Sequence, residues 1–396
     1  MTVRPIKPEE KITARKIQNL AFLLEEDFSG AVTNPEEYCK GYETTRAAFD
    51  DRGKMCSCLE LLPYTVMYDG HMVAMGGIGG VATHPEDRKK GGVRSIFQYC
   101  MQEMYDEGYV FSYLYPFSHP FYRRFGYELN MTRTRYSIPL SSLAHFSQTG
   151  SVRLYTKDMD CQPLVSVYGD FIKDKNLAVV RDEYRWKRFF SADPYKDNVY
   201  IYLWYNQDDV LRGYLKHRIR KTSEYGYDLI AEELVWLDTQ AFEGIMAFVR
   251  GLSAQFSNLI WECPSFFDLL SYFPEPYDIG QEIMTNGMNR VVNARRALEL
   301  ISPPQGSGSV VIQAADAILD ANTARYCVSW DKGEVEVKTT DREADLVCGI
   351  KDLGPLVTGF ATPAQLKEAG RIEINGKADV LEGLFPRKKL YINDRF

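Results

Sequence analysis

The sequence predicts a mixed α/β (α+β) protein in three modules, over residues 1–150, 151–285 and 286–396, and three observations carry that expectation. Between residues 74 and 127 an extended small-residue run, a basic glycine-rich loop, a helix pattern and a second strand follow one another. The order hairpin, strand, helix, strand returns between residues 198 and 261, without the glycines. After residue 286 the chain turns to short alternating strands and small helices.

In chain order, residues 1–60 read as a lead-in strand and two helices. Pro8-Glu9-Glu10 is a helix start, and Ile17, Leu20, Ala21 and Leu24 share one face. The acidic cluster Glu25, Glu26 and Asp27 then falls at the helix end, where the macrodipole disfavours carboxylates. Carboxylates placed against the dipole point to attraction of an ammonium substrate, with a solvated surface as the plainer alternative. Glu36 and Glu37 are weaker candidates of the same kind.

From 61 to 75 the chain makes a hairpin turning at Asp69-Gly70, which feeds the run Ala74-Met75-Gly76-Gly77-Ile78-Gly79-Gly80-Val81-Ala82. The loop Arg88-Lys89-Lys90-Gly91-Gly92-Val93-Arg94-Ser95 follows. Val93, Ile96, Phe97, Cys100, Met101, Met104 and Tyr105 then repeat at the spacing of one apolar helix face. The helix stops at Gly108, and a strand over 109–115 is halted by Pro116.

A helix N-terminus carries unpaired N–H groups and partial positive charge, and glycines in its first turn let a phosphate come close to the backbone. Arg88, Lys89, Lys90 and Arg94 add formal charge beside it. The ligand predicted here is a pyrophosphate or polyphosphate. Neither a Walker loop nor a Rossmann fingerprint is present at this position.

In the second module strands are expected over 198–205, 210–219 and 227–236. A helix carrying Phe242, Ile245, Met246, Val249 and Leu252 follows, then a strand at 259–261. The loop before that helix, Leu237-Asp238-Thr239-Gln240, has no glycine and no base. An Asp or Thr there caps the helix with its own side chain and takes a phosphate's place. This copy is not expected to bind the nucleotide. The third module shows strands at 309–312, 326–329, 335–337 and 344–350, with small helices at 362–369 and 378–385; residues 302–308 read as a flexible loop.

Composition narrows the class. The chain has 396 residues, 45% of them hydrophobic and 26% charged, with a net charge of −7, which argues against nucleic acid as a general partner and tolerates a cationic substrate. No apolar run reaches the roughly 18 residues of a membrane span, and the first residues lack a signal-peptide core. A cytoplasmic location without membrane insertion is the expectation. The eight cysteines lack paired CxxC spacing and read as reduced thiols, and no metal constellation stands out, so no metal is expected.

The segment 74–127 resembles the GNAT acetyltransferases. Arg88-Lys89-Lys90-Gly91-Gly92-Val93 is similar to their acetyl-CoA loop R/Q-x-x-G-x-G/A, with Val93 departing at the last position. Phe121-Tyr122-Arg123-Arg124-Phe125-Gly126-Tyr127 is similar to their F-Y-x-x-x-G-F/Y stretch, whose first Tyr protonates the departing thiolate. Chemically a phenol with a pKa near 10 suits that task. With a second copy that lacks the motif and a sterol-carrier-like third module, the whole chain resembles the Eis (enhanced intracellular survival) family. Met288-Asn-Arg-Val-Val-Asn293, Leu353-Gly-Pro-Leu-Val-Thr-Gly359, Gly370-Arg-Ile372 and the aromatic end Tyr391-Ile-Asn-Asp-Arg-Phe396 carry that likeness.

The resemblance implies a fold of tandem GNAT-like domains followed by a sterol-carrier-protein-like domain. It also implies acetyl transfer from acetyl-CoA to primary amines, aminoglycoside or polyamine-like, and a hexamer. It assigns Tyr122 as general acid and the Phe396 carboxylate as general base. Val81, Ala82 and Thr83 would hold the pantetheine arm, and Arg88, Lys89, Gly91, Gly92 and Val93 the pyrophosphate, with Glu25, Glu26 and Asp27 on the amine side. A protein-lysine acetyltransferase and a lipid carrier with a regulatory GNAT half are the alternatives.

Overall fold

The computed structural model describes residues 1–31 and 39–396. Its first fourteen strands are β1 (Thr2–Pro5), β2 (Thr45–Phe49), β3 (Met55–Tyr68), β4 (His71–Thr83), β5 (Phe111–Leu114), β6 (Glu128–Leu129), β7 (Thr132–Pro139), β8 (Ser151–Leu154), β9 (Val199–Tyr205), β10 (Leu211–Lys221), β11 (Tyr227–Trp236), β12 (Asn258–Pro264), β13 (Gly280–Thr285) and β14 (Met288–Val291). They form two seven-stranded sheets, ordered β1-β2-β3-β4-β5-β14-β6 and β13-β7-β12-β11-β10-β9-β8. A third sheet of five strands is built from residues 307–374.

Each large sheet contains the same opening. β4 runs parallel to β5 through only four pairs, Met75↔Phe111 to Ile78↔Leu114, and then continues to Thr83 with β3 alone. In the second sheet β11 runs parallel to β12 through four pairs, Asp228↔Asn258 to Ala231↔Trp261, and continues to Trp236 with β10. Below the first opening lies the helix Gly92–Asp106, whose Ile96, Phe97, Cys100, Met101 and Met104 are fully buried, as the apolar spacing requires. Burying side chains of this size contributes about 1.5–3 kcal/mol each.

The strands do not keep to the boundaries expected at 150 and 285. β7, from the expected first module, lies in the second sheet between β12 and β13, and β14, from the expected third, lies in the first sheet between β5 and β6. Where the chain crosses over, the links bond to each other, Asn130 N–H to the Gly287 carbonyl at 3.2 Å and Asn286 N–H to the Met131 carbonyl at 3.1 Å. Gly287 has no room for a side chain, because a β-carbon would stand 2.2 Å from the Tyr113 hydroxyl.

One local expectation changes. Residues 1–60, expected to hold a lead-in strand and two helices, also form β2 and the start of β3. Pairing with β1 on one side and β4 on the other overrides the weak strand preference of Ala47 and Ala48. A helix that the sequence reading did not include, Ile350–Thr358, forms with Gly354 and Pro355 inside it. Pro355 forfeits one backbone bond, and burial of nearly the whole helix against β14 and the third sheet outweighs it. The first long helix, Lys11–Phe22, ends at Leu23 in a left-handed conformation, so Glu25, Glu26 and Asp27 lie beyond it and not on its last turn.

Candidate active site

The site begins with a bulge in β4. Gly79 pairs with Glu60 and Ala82 with Cys58, so Gly80 and Val81 face a single residue, Leu59. Gly80 has φ +56°, and a β-carbon there would stand 2.2 Å from Gln18 Nε2, which donates to the Gly80 carbonyl at 3.1 Å. Glycine is therefore required on two counts. The bulge turns the end of β4 away from β5 and leaves backbone groups free at the mouth of the opening.

The loop that follows is a cradle of backbone N–H groups. Lys89 and Gly91 both have positive φ, 66° and 92°, and Gly91 caps the helix Gly92–Asp106 without a side-chain bond. A β-carbon on Gly92 would stand 2.5 Å from Ser57 Oγ. Lys90 and Lys54 are committed to Asp87 at 2.8 and 3.1 Å and hold its carboxyl down at about 2. Among the described residues Arg88, Lys89 and Arg94 form no ion pair, so three cations stand available around the cradle.

These features line one cleft of about 1130 Å³. Val81, Ala82, Thr83, Arg88, Lys89, Gly91, Gly92 and Val93, the eight positions expected for the cofactor, all lie on its wall. The sequence reading missed the apolar side, made by Phe117, Phe121 and Phe125 with Ala317 and Ile318 of the third module. Phe121 and Phe125 had a signal in the motif itself; Phe117, Ala317 and Ile318 had none.

Tyr122 lies in the short helix His119–Arg123, one layer behind Phe117 and Phe121, with ring centroids 5.4 and 5.1 Å away. It is 3% exposed, and burial pushes its phenol well above the usual range. Among the described residues its hydroxyl has no hydrogen-bond partner. The turn after it is fixed by Arg290, fully buried, which donates to the Phe125 carbonyl at 2.6 Å and to Asp316 at 2.7 Å. Gly126 has φ +80°, and a β-carbon there would stand 1.8 Å from Arg290 Nη1, which accounts for the glycine of this motif.

Phe396 comes to the same strand from the other side. Its ring packs against Tyr64 and Tyr115, with centroids at 4.8 and 5.2 Å, and its carboxyl carbon lies 3.7 Å from where Gly79 would carry a β-carbon. That is one residue before the bulge. Gly77, in the extended small-residue run, makes room for the Phe396 and Tyr64 rings, and Gly76 for Met104 and Leu61.

The acidic cluster does not act together. Glu25 is exposed, and Asp27 accepts from the Ser29 N–H and hydroxyl at 2.8 and 2.7 Å, bonds that lower its carboxyl. Glu26 lines a separate hollow of about 300 Å³ with Leu62, but it is ion-paired to Arg15. Leu62 in turn lies 3.9 Å from the Gly79 β-carbon position. Glu36 and Glu37 lie outside the described residues. Burial pushes the Cys100 thiol far up, so it offers no nucleophile.

The second opening is filled differently. Asp238 accepts from the Ala241 N–H at 2.8 Å, capping the helix Thr239–Gly251 where the first copy has its cradle. Residues 392–394 of the chain's own tail lie in the gap. Asn393 donates to the Glu232 carbonyl at 3.0 Å, and Arg133 to the Ile392 carbonyl.

Comparison with known proteins agrees with this architecture. Residues 2–130 match a model described as an acetyltransferase (GNAT) domain, residues 177–295 a second model of that description, and residues 289–393 a sterol carrier protein domain. No curated protein matches in sequence. A GCN5-related N-acetyltransferase from Anabaena variabilis ATCC 29413 has a similar structure, with TM-score 0.87, 22% identity and both chains covered in full. So do Eis1 from Mycobacterium abscessus (0.83, 18%) and a GCN5-related N-acetyltransferase from Kribbella flavida (0.81, 20%), again with 100% of both chains covered. Among the described residues no helix is long and apolar enough to cross a membrane.

Proposed function

We propose that this chain, a GNAT-family acetyltransferase with a sterol carrier protein-like domain, transfers the acetyl group of acetyl-CoA to a primary amine of a cationic small molecule, in the manner of the Eis family. The observation that carries the reading is the convergence on β4: the cradle and its three uncommitted cations open from one end of the bulge, and the Phe396 carboxyl lies at the other. A pyrophosphate fits the cradle by charge and by the N–H groups it leaves unpaired.

Acetyl-CoA is a substrate here, and the reaction is direct transfer in a ternary complex. The amine nitrogen attacks the thioester carbonyl, and backbone N–H at the Gly80-Val81 bulge meets the developing oxyanion. As the C–S bond breaks, Tyr122 gives its proton to sulfur, and the ammonium proton passes to the Phe396 carboxylate, directly or through water. Burial makes Tyr122 a weaker acid, and the thiolate in the same low-dielectric place becomes a stronger base, so donor and acceptor are raised together.

The net charge of −7 supports a cationic acceptor. The third module supports a structural role over lipid carriage, because its inner side chains pack in one core with the first sheet and Ile318 walls the cleft. The test is thiol release from acetyl-CoA with aminoglycosides, polyamines and lysine peptides, on wild type, Tyr122→Phe and a protein whose Phe396 carboxyl is converted to the amide. Turnover with small amines that both changes abolish, with acetyl-CoA still bound, is the expected result. Turnover only with peptides, or full activity of the amide, refutes the reading.

A further inference from the structure

We infer that the second GNAT domain serves the first as a clamp for the tail, with Arg181 and Asp394 as the positioning residues that deliver the Phe396 carboxyl to β4. The inference rests on the proposal that this carboxyl is the base.

Superposing the two openings by their four parallel pairs sets Glu232 where the first sheet has Gly79, and Glu233 where it has the bulge glycine Gly80. The positions that in one copy leave backbone bare carry, in the other, two carboxylate side chains. Glu233 is 3% exposed and takes hydrogen bonds from Arg181 at 2.9 Å, from the Tyr214 hydroxyl, and from Asn393 at 2.9 Å. Arg181, buried among Tyr168, Trp186 and Phe189, spends its other face on Asp394 at 3.0 Å. A buried arginine that bridges two carboxylates with fork geometry fixes both distance and direction.

The consequence runs down the tail. The Asp394 carbonyl accepts from the Tyr115 hydroxyl at 2.8 Å, so the residue gripped by the second domain is also tied to the first, two residues before Phe396. Arg185, again from the second domain, stacks 3.9 Å over the ring of Tyr64, which packs on Phe396. A chain end is ordinarily frayed; here Asp394 is held from both domains, its carboxylate by Arg181 and its carbonyl by Tyr115, and the Phe396 ring packs on a tyrosine that Arg185 covers. The second copy has exchanged its ligand-binding place for a grip on the chain's own end.

The experiment uses Asp394→Asn and Asn393→Ala, which leave the Arg181–Glu233 pair whole, beside the Phe396 amide. The expected result is a fall in kcat of about tenfold or more for Asp394→Asn, with KM for acetyl-CoA and the melting temperature unchanged, and partial recovery in Asp394→Glu. If Asp394→Asn keeps wild-type kcat while the amide is inactive, the clamp is wrong and the base assignment stands. If kcat and melting temperature fall together, the contact is merely structural and the clamp is wrong. If the amide is fully active, the base assignment itself fails and the clamp with it.

Discussion

The Phe396 ring stands 2.9 Å from the point where Gly77 would carry its β-carbon, so the middle of β4 and the last residue of the chain have room for each other only because residue 77 is glycine. Gly77→Ala is therefore expected to displace the ring and the carboxyl attached to it. Because a misplacement of about 1 Å at a reacting group can cost up to about a hundredfold, kcat should fall ten- to a hundredfold. KM for acetyl-CoA should not move, since the cradle lies beyond the bulge. Steady-state kinetics on a folded variant checks both.

The cations of the loop divide into committed and uncommitted, and the division predicts unequal effects. Arg88→Ala should raise KM for acetyl-CoA about tenfold, the worth of one charge-assisted hydrogen bond of roughly 1.5 kcal/mol. Lys90→Ala should raise it much less, because that ammonium already serves Asp87. Calorimetric titration with CoA at two salt concentrations separates them, with the Arg88 loss reducing the salt dependence.

His217 makes stability depend on pH. It is 2% exposed, neither ring nitrogen has a hydrogen-bond partner, and it stacks against both Tyr200 and Tyr202. Burial lowers its pKa from 6.5 to about 4. The unfolded chain takes the proton first, so this contribution is complete above pH 6.5 and is lost as the pH falls to about 4, by about 3 kcal/mol. His217→Phe should flatten urea midpoints between pH 6.5 and 4 relative to wild type.

Arg290 and Asp316 are both buried and paired at 2.7 Å. Removing one partner leaves an uncompensated charge, and Asp316→Ala is expected to cost about 3–5 kcal/mol in urea unfolding. Since Arg290 also holds the Phe125 carbonyl, the surviving folded protein should bind acetyl-CoA more weakly.

What the sequence disclosed was local. Gly91, Gly92 and the repeat from Val93 to Tyr105 announce a cradle and a helix within eighteen residues, and the Asp69-Gly70 turn sets the hairpin register. Asp238 disclosed the loss of the second cradle by the same short-range logic. What stayed hidden joins distant residues: Ile318 on the cofactor wall, Asp394 on Arg181, and Arg15 neutralising Glu26 at a separation no helix repeat brings together. The need for glycine at 76 and 77 stayed hidden for the same reason, because the side chains that demand it are Met104, Leu61, Tyr64 and Phe396.

The placement of β7 and β14 gives the order of biosynthesis a structural meaning. β5 and β6 leave the ribosome about 160 residues before the strand that belongs between them, a delay of roughly ten to thirty seconds at ~5–20 residues per second. During that interval the nascent first sheet presents the open flank of Phe111–Leu114, a template for wrong pairing that a chaperone must shield. Each half therefore lacks a strand that the other supplies, and a protein split between them is expected to assemble only when both polypeptides are present together.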